Sequence, residues 1–274
     1  MNVADERTKS SWMEFRLASA PALSSDARAD VAVIGSGIAG LSVAYELAAR
    51  GASVIVVDRG EIGSGMTART TAHLASALDD FYAELSKARG EETARLLHES
   101  LGASIDRAEA VQSKEGIDCD FARLDGYLFL APDTPRQDLE DELEACRKIG
   151  VSVSAFREKL PLQIDAEPYA LRFSRQARFH PLKYLSGLAA AIQRTGGRLF
   201  ADTCVTSVEE NRDEVVVTTS FGHKIARPRR SRGDKLTDYR PGGGAHKAGT
   251  LPHLRDRRNA AARQPCRCTL LGYA

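Results

Sequence analysis

The chain contains no run approaching the roughly 18 consecutive apolar residues that a membrane-crossing helix requires. Its first nine residues, Met1 to Lys9, are polar and of mixed charge, without the apolar stretch of a secretion signal. Both absences lead to the expectation of a cytoplasmic protein that does not insert in a membrane. Cysteine is scarce: the five are Cys119, Cys146, Cys204, Cys266 and Cys268, an odd and scattered set that suits reduced thiols better than a disulfide framework. Only Cys266 and Cys268 are close together, and a C-x-C pair with no partnering His or Cys pair does not make a metal site. An overall excess of either charge is also missing, since the net charge is +1. That balance hides a division. Residues 226–274 hold 12 Lys+Arg and 3 Asp+Glu, a net of +9, so residues 1–225 hold 26 against 34, a net of −8.

What is present is concentrated between Asp30 and Asp58. An apolar strand (Val31, Ala32, Val33, Ile34) leads into the turn Gly35-Ser36-Gly37-Ile38-Ala39-Gly40. An amphipathic helix, a second apolar strand over 54–57 and an acid then follow. Gly35 permits a tight turn, Gly37 lets backbone N–H groups approach a pyrophosphate, and Gly40 allows the helix to pack closely on the strand. The positive end of the helix would face the phosphates, and Asp58 would take the ribose hydroxyls. A bare G-x-G-x-x-G is weak evidence. Here it follows a strand, opens a helix and precedes an acid at close to the ~20-residue spacing of dinucleotide-binding units.

The rest of the chain divides by pattern. Residues 1–26 read as an irregular lead-in, and 61–78 as a small-residue segment, polar at first and helix-compatible later. Helical periodicity appears near 91–114 and 135–149, with a strand over 126–130 between them. Pro181 opens a helix to Arg194, as suits proline at a first helical position. Gly196 and Gly197 end it, and a strand over 198–201 and a hairpin of 206–210 with 214–220 come next. From 226 the order fails: Pro228, Pro241, Pro252, Pro265 and a triple glycine sit among twelve cations. The segment reads as a basic tail without a packed core. Only Tyr239 and Tyr273 are aromatic there, so stacking platforms for nucleic acid are scarce and no nucleic-acid partner is expected.

Four stretches together resemble the FAD-dependent oxidoreductases of the D-amino-acid-oxidase-like superfamily, in particular the glycine oxidase and gamma-glutamylputrescine oxidase relatives. They are residues 31–58, the segment Gly65-Met66-Thr67-Ala68-Arg69-Thr70-Thr71-Ala72-His73-Leu74, Asp118-Cys119-Asp120-Phe121 with Asp125-Gly126-Tyr127-Leu128, and Gln176-Ala177-Arg178-Phe179-His180-Pro181-Leu182-Lys183-Tyr184. The resemblance covers about residues 11–225. It implies an α/β fold: an incomplete Rossmann-like FAD-binding domain of residues 27–78 and 172–225, part of an α+β substrate domain over 79–171, and the basic tail 226–274. The cofactor it implies is FAD. By position Gly35, Gly37, Ile38, Ala39 and Gly40 would hold the pyrophosphate, and Asp58 with Arg59 would border the adenosine ribose. Thr67, Ala68, Arg69, Thr70 and Thr71 would line the path to the flavin, and Val205 would meet the adenine through its backbone. Helix capping is the competing role for Thr70 and Thr71.

The implied activity is hydride transfer from the amine-bearing carbon of a small amine or amino acid to the flavin, which performs the redox step while the protein orients the substrate. His180 is a candidate base, but its place before Pro181 at a helix start favours a structural role. His73 follows the threonine segment and has a packed helix histidine as its competing reading. No catalytic residue is assigned. Some relatives carry a C-terminal Rieske iron–sulfur domain, yet no C-x-H with a downstream C-x-x-H occurs here.

In such relatives an apolar strand of the type Val-Val-Ala-Thr-Asn follows the hairpin and packs beside the first strand. In this chain Ala226-Arg227-Pro228-Arg229-Arg230-Ser231 stands in that place, unsuited to a buried strand because proline breaks the ladder and unpaired charge resists burial. Codons for residues 231–240, read one nucleotide later, can spell Val-Val-Ala-Thr-Asn-Ser-Pro-Ile-Thr-Asp, and the agreement extends through Asp256. A change of reading frame between about 225 and 231 is therefore expected, leaving a fragment of doubtful activity. Two other readings stay open: an NAD-dependent dehydrogenase using the same turn, and a non-catalytic nucleotide-binding module whose basic tail grips nucleic acid.

Overall fold

The computed structural model describes residues 9–129, 135–158, 169–210 and 214–228. The chain forms β1 (Ala27–Arg28), β2 (Val31–Ile34), α1 (Ile38–Ala49), β3 (Val54–Val57) and β4 (His73–Leu74). Next come α2 (Tyr82–Arg89), α3 (Glu91–Glu115), β5 (Ala122–Phe129), α4 (Arg136–Lys148), β6 (Val153–Phe156) and β7 (Ala170–Arg178). The last elements are α5 (Pro181–Arg194), β8 (Arg198–Phe200), β9 (Val205–Glu210), β10 (Glu214–Thr219) and β11 (Lys224–Pro228).

The four residues of β3, Val54, Ile55, Val56 and Val57, are all buried, as expected of a central parallel strand covered on both faces. It pairs in parallel with β2 on one side, Val31 opposite Val54 and Ile34 opposite Val57, and with β8 on the other, Val57 opposite Phe200. Helix α1 buries Leu41, Ala44, Tyr45 and Ala48, the i, i+3, i+4, i+7 stripe of an amphipathic helix. This stripe shares one core with Leu182, Leu185, Leu188 and Ile192 of α5. The glycine turn therefore stands between a buried central strand and a well-packed helix pair.

A second sheet is antiparallel. Its long strand β7 pairs with β5 along its length, with β6 over Ala170 to Phe173, and with β4 at Ala177 and Arg178. Helix α4 lays Leu139, Leu143 and Cys146 into the core of this sheet, beside Leu128, Leu171 and Phe173. Glu142 is buried on the same face, and its carboxylate accepts from the Tyr82 and Ala83 N–H groups at 2.9 and 2.8 Å. A negative group thus caps the positive end of α2. The domain boundary expected at 171/172 falls inside β7, so one continuous strand serves both expected regions.

The hairpin expected at 206–220 is the pair β9 and β10, and a third strand extends it. β11 pairs antiparallel with β10 and parallel with β1, Ala27 opposite Ile225 and Arg28 opposite Ala226. This corrects the expectation that order ends at 226. Pro228 occupies the last position of β11, where a missing N–H costs little. Moreover β11 belongs to the sheet β1-β11-β10-β9 and not to the parallel sheet. The expected basic tail otherwise lies outside the described residues.

Residues 61–78 also depart from expectation. In place of a helix they form a single 3-10 turn, Met66–Arg69, and the short strand β4. Likewise the lead-in is partly ordered, with a 3-10 turn at Ser11–Glu14. Among the described residues, no helix is long and apolar enough to cross a membrane.

Candidate functional site: a glycine turn clamped by Asp58 and Thr67

The turn between β2 and α1 is built on close approaches. Gly35 has φ +101°, and its N–H donates to the Val57 carbonyl of β3 at 2.8 Å. A Cβ added to Gly40 would lie 1.9 Å from the Gly35 carbonyl oxygen, so only glycine lets the first turn of α1 sit against the loop that precedes it. Helix α1 has no acid in its first turn. First-turn N–H groups have no acceptor within their own helix, so the positive end of α1 is suited to an anion.

Two side chains from distant parts of the sequence meet at this turn. The Asp58 carboxylate, at the end of β3, accepts from the Ser36 N–H and hydroxyl through one oxygen, both at 2.6 Å, and from the Gly60 N–H through the other at 3.2 Å. Ser36 was not singled out from sequence. It is fully buried, and its hydroxyl also accepts from the Gly63 N–H at 3.1 Å, linking the turn to the loop after β3. The second side chain is Thr67, whose Oγ1 accepts from the Ile38 N–H at 3.0 Å. A Cβ on Gly37 would come within 3.2 Å of that oxygen. The segment following Gly65 therefore lands on the amino end of α1.

The other expected site residues are placed around this knot. Ile38 and Ala39 open α1, and Arg59 is exposed beyond Asp58. Ala68 is buried, and Arg69 donates from Nη1 to the Ser64 carbonyl at 3.3 Å. Thr70 Oγ1 accepts from the Ala72 N–H at 3.2 Å, stabilising a residue with φ +62°. It caps a turn and not a helix, because β4 follows, and Thr71 is exposed. Val205 lies apart. It starts β9 opposite Thr219 and packs against the core cluster that contains Ile55, Val57, Val217 and Ile225, and among the described residues no hydrogen bond joins it to the turn.

The loop over 201–203 completes the enclosure. The Thr203 N–H donates to the Asp58 carbonyl at 2.6 Å and the Asp202 N–H to the Gly60 carbonyl at 3.1 Å. A cavity of about 620 Å³ lies between the lead-in and residues 61–69, reaching Ala68 and Arg69 but lined by none of the three turn glycines.

His180 is the N-cap of α5: its Nδ1 accepts from the Lys183 N–H at 3.3 Å. The rings of Trp12 and Phe15 meet it edge-on at 5.0 and 5.6 Å. Burial, together with the Lys183 charge, holds the imidazole below its ordinary value of 6.5. A depressed histidine favours the fold while neutral, so its contribution is lost as pH falls from about 6.5 downward. His180→Asn keeps a capping oxygen and cannot titrate. Melting temperatures recorded between pH 8 and pH 5 should therefore fall less steeply for the variant than for the wild type. Equal slopes would remove His180 from the acid response. His73 lies in β4, opposite Arg178, so the helical alternative for it is corrected. No group of three or more metal-ligating side chains occurs among the described residues.

A parallel sheet whose first strand turns through glycine into a helix, with an acid at the end of the next strand, defines a dinucleotide-binding α/β protein. Comparison with known proteins narrows the class. Residues 30–229 match the FAD dependent oxidoreductase family, and the chain belongs to it. It is 35% identical over 204 residues to a putative Rieske 2Fe-2S iron-sulfur protein, YhfW, of Bacillus subtilis, a match covering 74% of this chain and 40% of that protein. It is 30% identical over 197 residues to gamma-glutamylputrescine oxidoreductase of Escherichia coli, covering 69% of this chain and 45% of the relative. The chain thus spans less than half the length of these relatives. Its fold is similar to that of glycine oxidase from Geobacillus kaustophilus, with a TM-score of 0.57 at 23% identity over 73% of this chain and 53% of that one.

Proposed function

We propose that this chain is the cofactor-gripping portion of an oxidoreductase that oxidises a small amine or amino acid. FAD is the cofactor of the family to which it belongs. Bound there, the flavin would supply a hydride acceptor for a carbon bearing an amine. The protein's own part is to hold and orient. Gly35, Gly37 and Gly40, with the Ala39 N–H, would take the pyrophosphate at the positive end of α1, where Ile38 is held by its N–H bond to Thr67. Asp58 and Arg59 would border the ribose, and the Thr67 to Thr71 segment would lead toward the ring, with Val205 on the adenine side.

The arrangement suits such a ligand. Gly40 is confined to glycine by its approach to Gly35, so the turn is shaped for backbone contact. The outer Asp58 oxygen accepts a single bond at 3.2 Å and, as a carboxylate oxygen with two lone pairs, has room for a hydroxyl donor. The observation that carries the reading is the Thr67 contact to Ile38, because it attaches the 65–74 segment to the phosphate end of the turn. A plain NAD-binding unit has no need of that segment. The names of the relatives support the substrate class, gamma-glutamylputrescine being an amine and glycine an amino acid.

The test is flavin retention. Purified chain mixed with FAD and desalted should stay yellow and quench flavin fluorescence. Asp58→Asn keeps an oxygen for Ser36 but removes the charge, and should weaken FAD binding about tenfold, the range for one charge-assisted hydrogen bond. Retention of NAD in preference to FAD would overturn the reading.

A further inference from the structure

We infer that residues 10–23 are a strap that positions the loop leading to the flavin, with Trp12 as its central positioning residue, an inference that rests on the FAD reading above. The strap is fastened at both ends. At one end the Ser10 hydroxyl donates to the Ala68 carbonyl, and Trp12 Nε1 donates to the Thr70 carbonyl at 2.8 Å. At the other the Ala201 N–H donates to the Pro21 carbonyl and the Leu23 N–H to Thr203 Oγ1, each at 3.0 Å. These are the two loops that meet at the turn: the first supplies Thr67, and the second is bonded to the Asp58 and Gly60 carbonyls. Between its ends the strap lays Leu17 over Gly63 and seats the single tryptophan of the chain, with Phe15, against His180.

The need for a strap follows from the loop itself. Residues 65–73 have one 3-10 turn, and Ala72 lies in the left-handed region, where an L side chain is strained. Behind them is the cavity of about 620 Å³, bordered by Phe15, Leu17, Ile62, Ala68 and Leu182. Ala68 and Ala72 pack into the main core, but the cavity leaves the loop open beside Ala68 and Arg69, and on that side the polar contacts of Ser10 and Trp12 add to the packing. Both accepting carbonyls, of Ala68 and Thr70, belong to the stretch assigned to the cofactor path.

Trp12→Phe keeps a ring against His180 but deletes the N–H, leaving the half-buried Thr70 carbonyl without that donor. Hydrogen–deuterium exchange of the cofactor-free chain should then show the amides over 67–73 exchanging about tenfold faster, with α4 unchanged. FAD should bind about fivefold more weakly, with less quenching of flavin fluorescence. Ser10→Ala, a milder change, should speed exchange over the same segment by a smaller factor and serves if Trp12→Phe does not fold. Exchange over 67–73 equal to wild type in the variants would overturn the strap. If wild-type chain binds no FAD, the proposed function fails, while the exchange measurement still decides the inference.

Discussion

Gly40→Ala is expected to abolish flavin retention and to lower the melting temperature by roughly 6–12 °C. The added methyl would stand 1.9 Å from the Gly35 carbonyl oxygen, a backbone atom that cannot turn aside as a flexible side chain would. Relief requires α1 to tilt away from the turn, and α1 is pinned by Leu41 and Tyr45 in the core it shares with α5. Overpacking of this kind costs about 3 kcal/mol, and a domain of this size loses about 2–4 °C per kcal/mol. The binding loss is larger than the stability loss suggests. The same movement displaces the Ala39 N–H from the position an anion would occupy, and separates the Ile38 N–H from Thr67 Oγ1. Gly51→Ala is the control. Gly51 has φ +85° but an open surround, so alanine there meets only the left-handed penalty of about 1–2 kcal/mol and should leave flavin retention intact. Equal flavin content in the Gly40 variant and wild type would show that the close approach is not needed for binding.

The local signals that were strong in the sequence share a property: each is complete within a short stretch. The strand, turn, helix and acid from Val31 to Asp58 form one local unit, and Pro181 marks α5 because its ring suits a first helical turn. What sequence left obscure depends on partners far along the chain. Ser36 carries no local signal of its role, since nothing nearby shows that Asp58 will reach back to its N–H and hydroxyl. Trp12 stood in an irregular lead-in, and its partner carbonyl is 58 residues away. The segment around His73 carried helix-compatible residues, but pairing of His73 and Leu74 with β7 outweighs that propensity. Its being the only tryptophan was the one hint that Trp12 had a specific place. The charged, proline-bearing run after Ile225 is unsuited to a place beside the first strand, yet its first residues finish a different sheet, a pairing set by β10 and β1 and not by the run itself.

Among the described residues β2 pairs only with β3, and Ile34 is 54% exposed. β11 runs parallel to β1, and the Ala29 N–H donates to the Ala226 carbonyl at 3.3 Å. β1 leads directly into β2, so a strand continuing in the direction of β11 would be delivered parallel to β2 on the side where no described residue pairs with it. Ser231-Arg232-Gly233-Asp234-Lys235, the residues close behind Pro228, are a poor occupant there because three of the five are charged. Exchanging them for Val-Val-Ala-Thr-Asn, the segment that the neighbouring frame can encode, should raise stability by about 3 kcal/mol, the scale for burying two valine side chains. The exchanged chain should also bind FAD more tightly, because β2 carries Gly35 at its end. An uncovered apolar edge invites pairing between copies, so the original chain should self-associate with rising concentration in sedimentation or light scattering, and the exchanged chain should do so less. Ile34→Lys, which places a charge on the same edge, should reduce association without the gain in FAD binding. An exchanged chain with the melting temperature and association of the original would mean that the edge of β2 is not a strand-binding position.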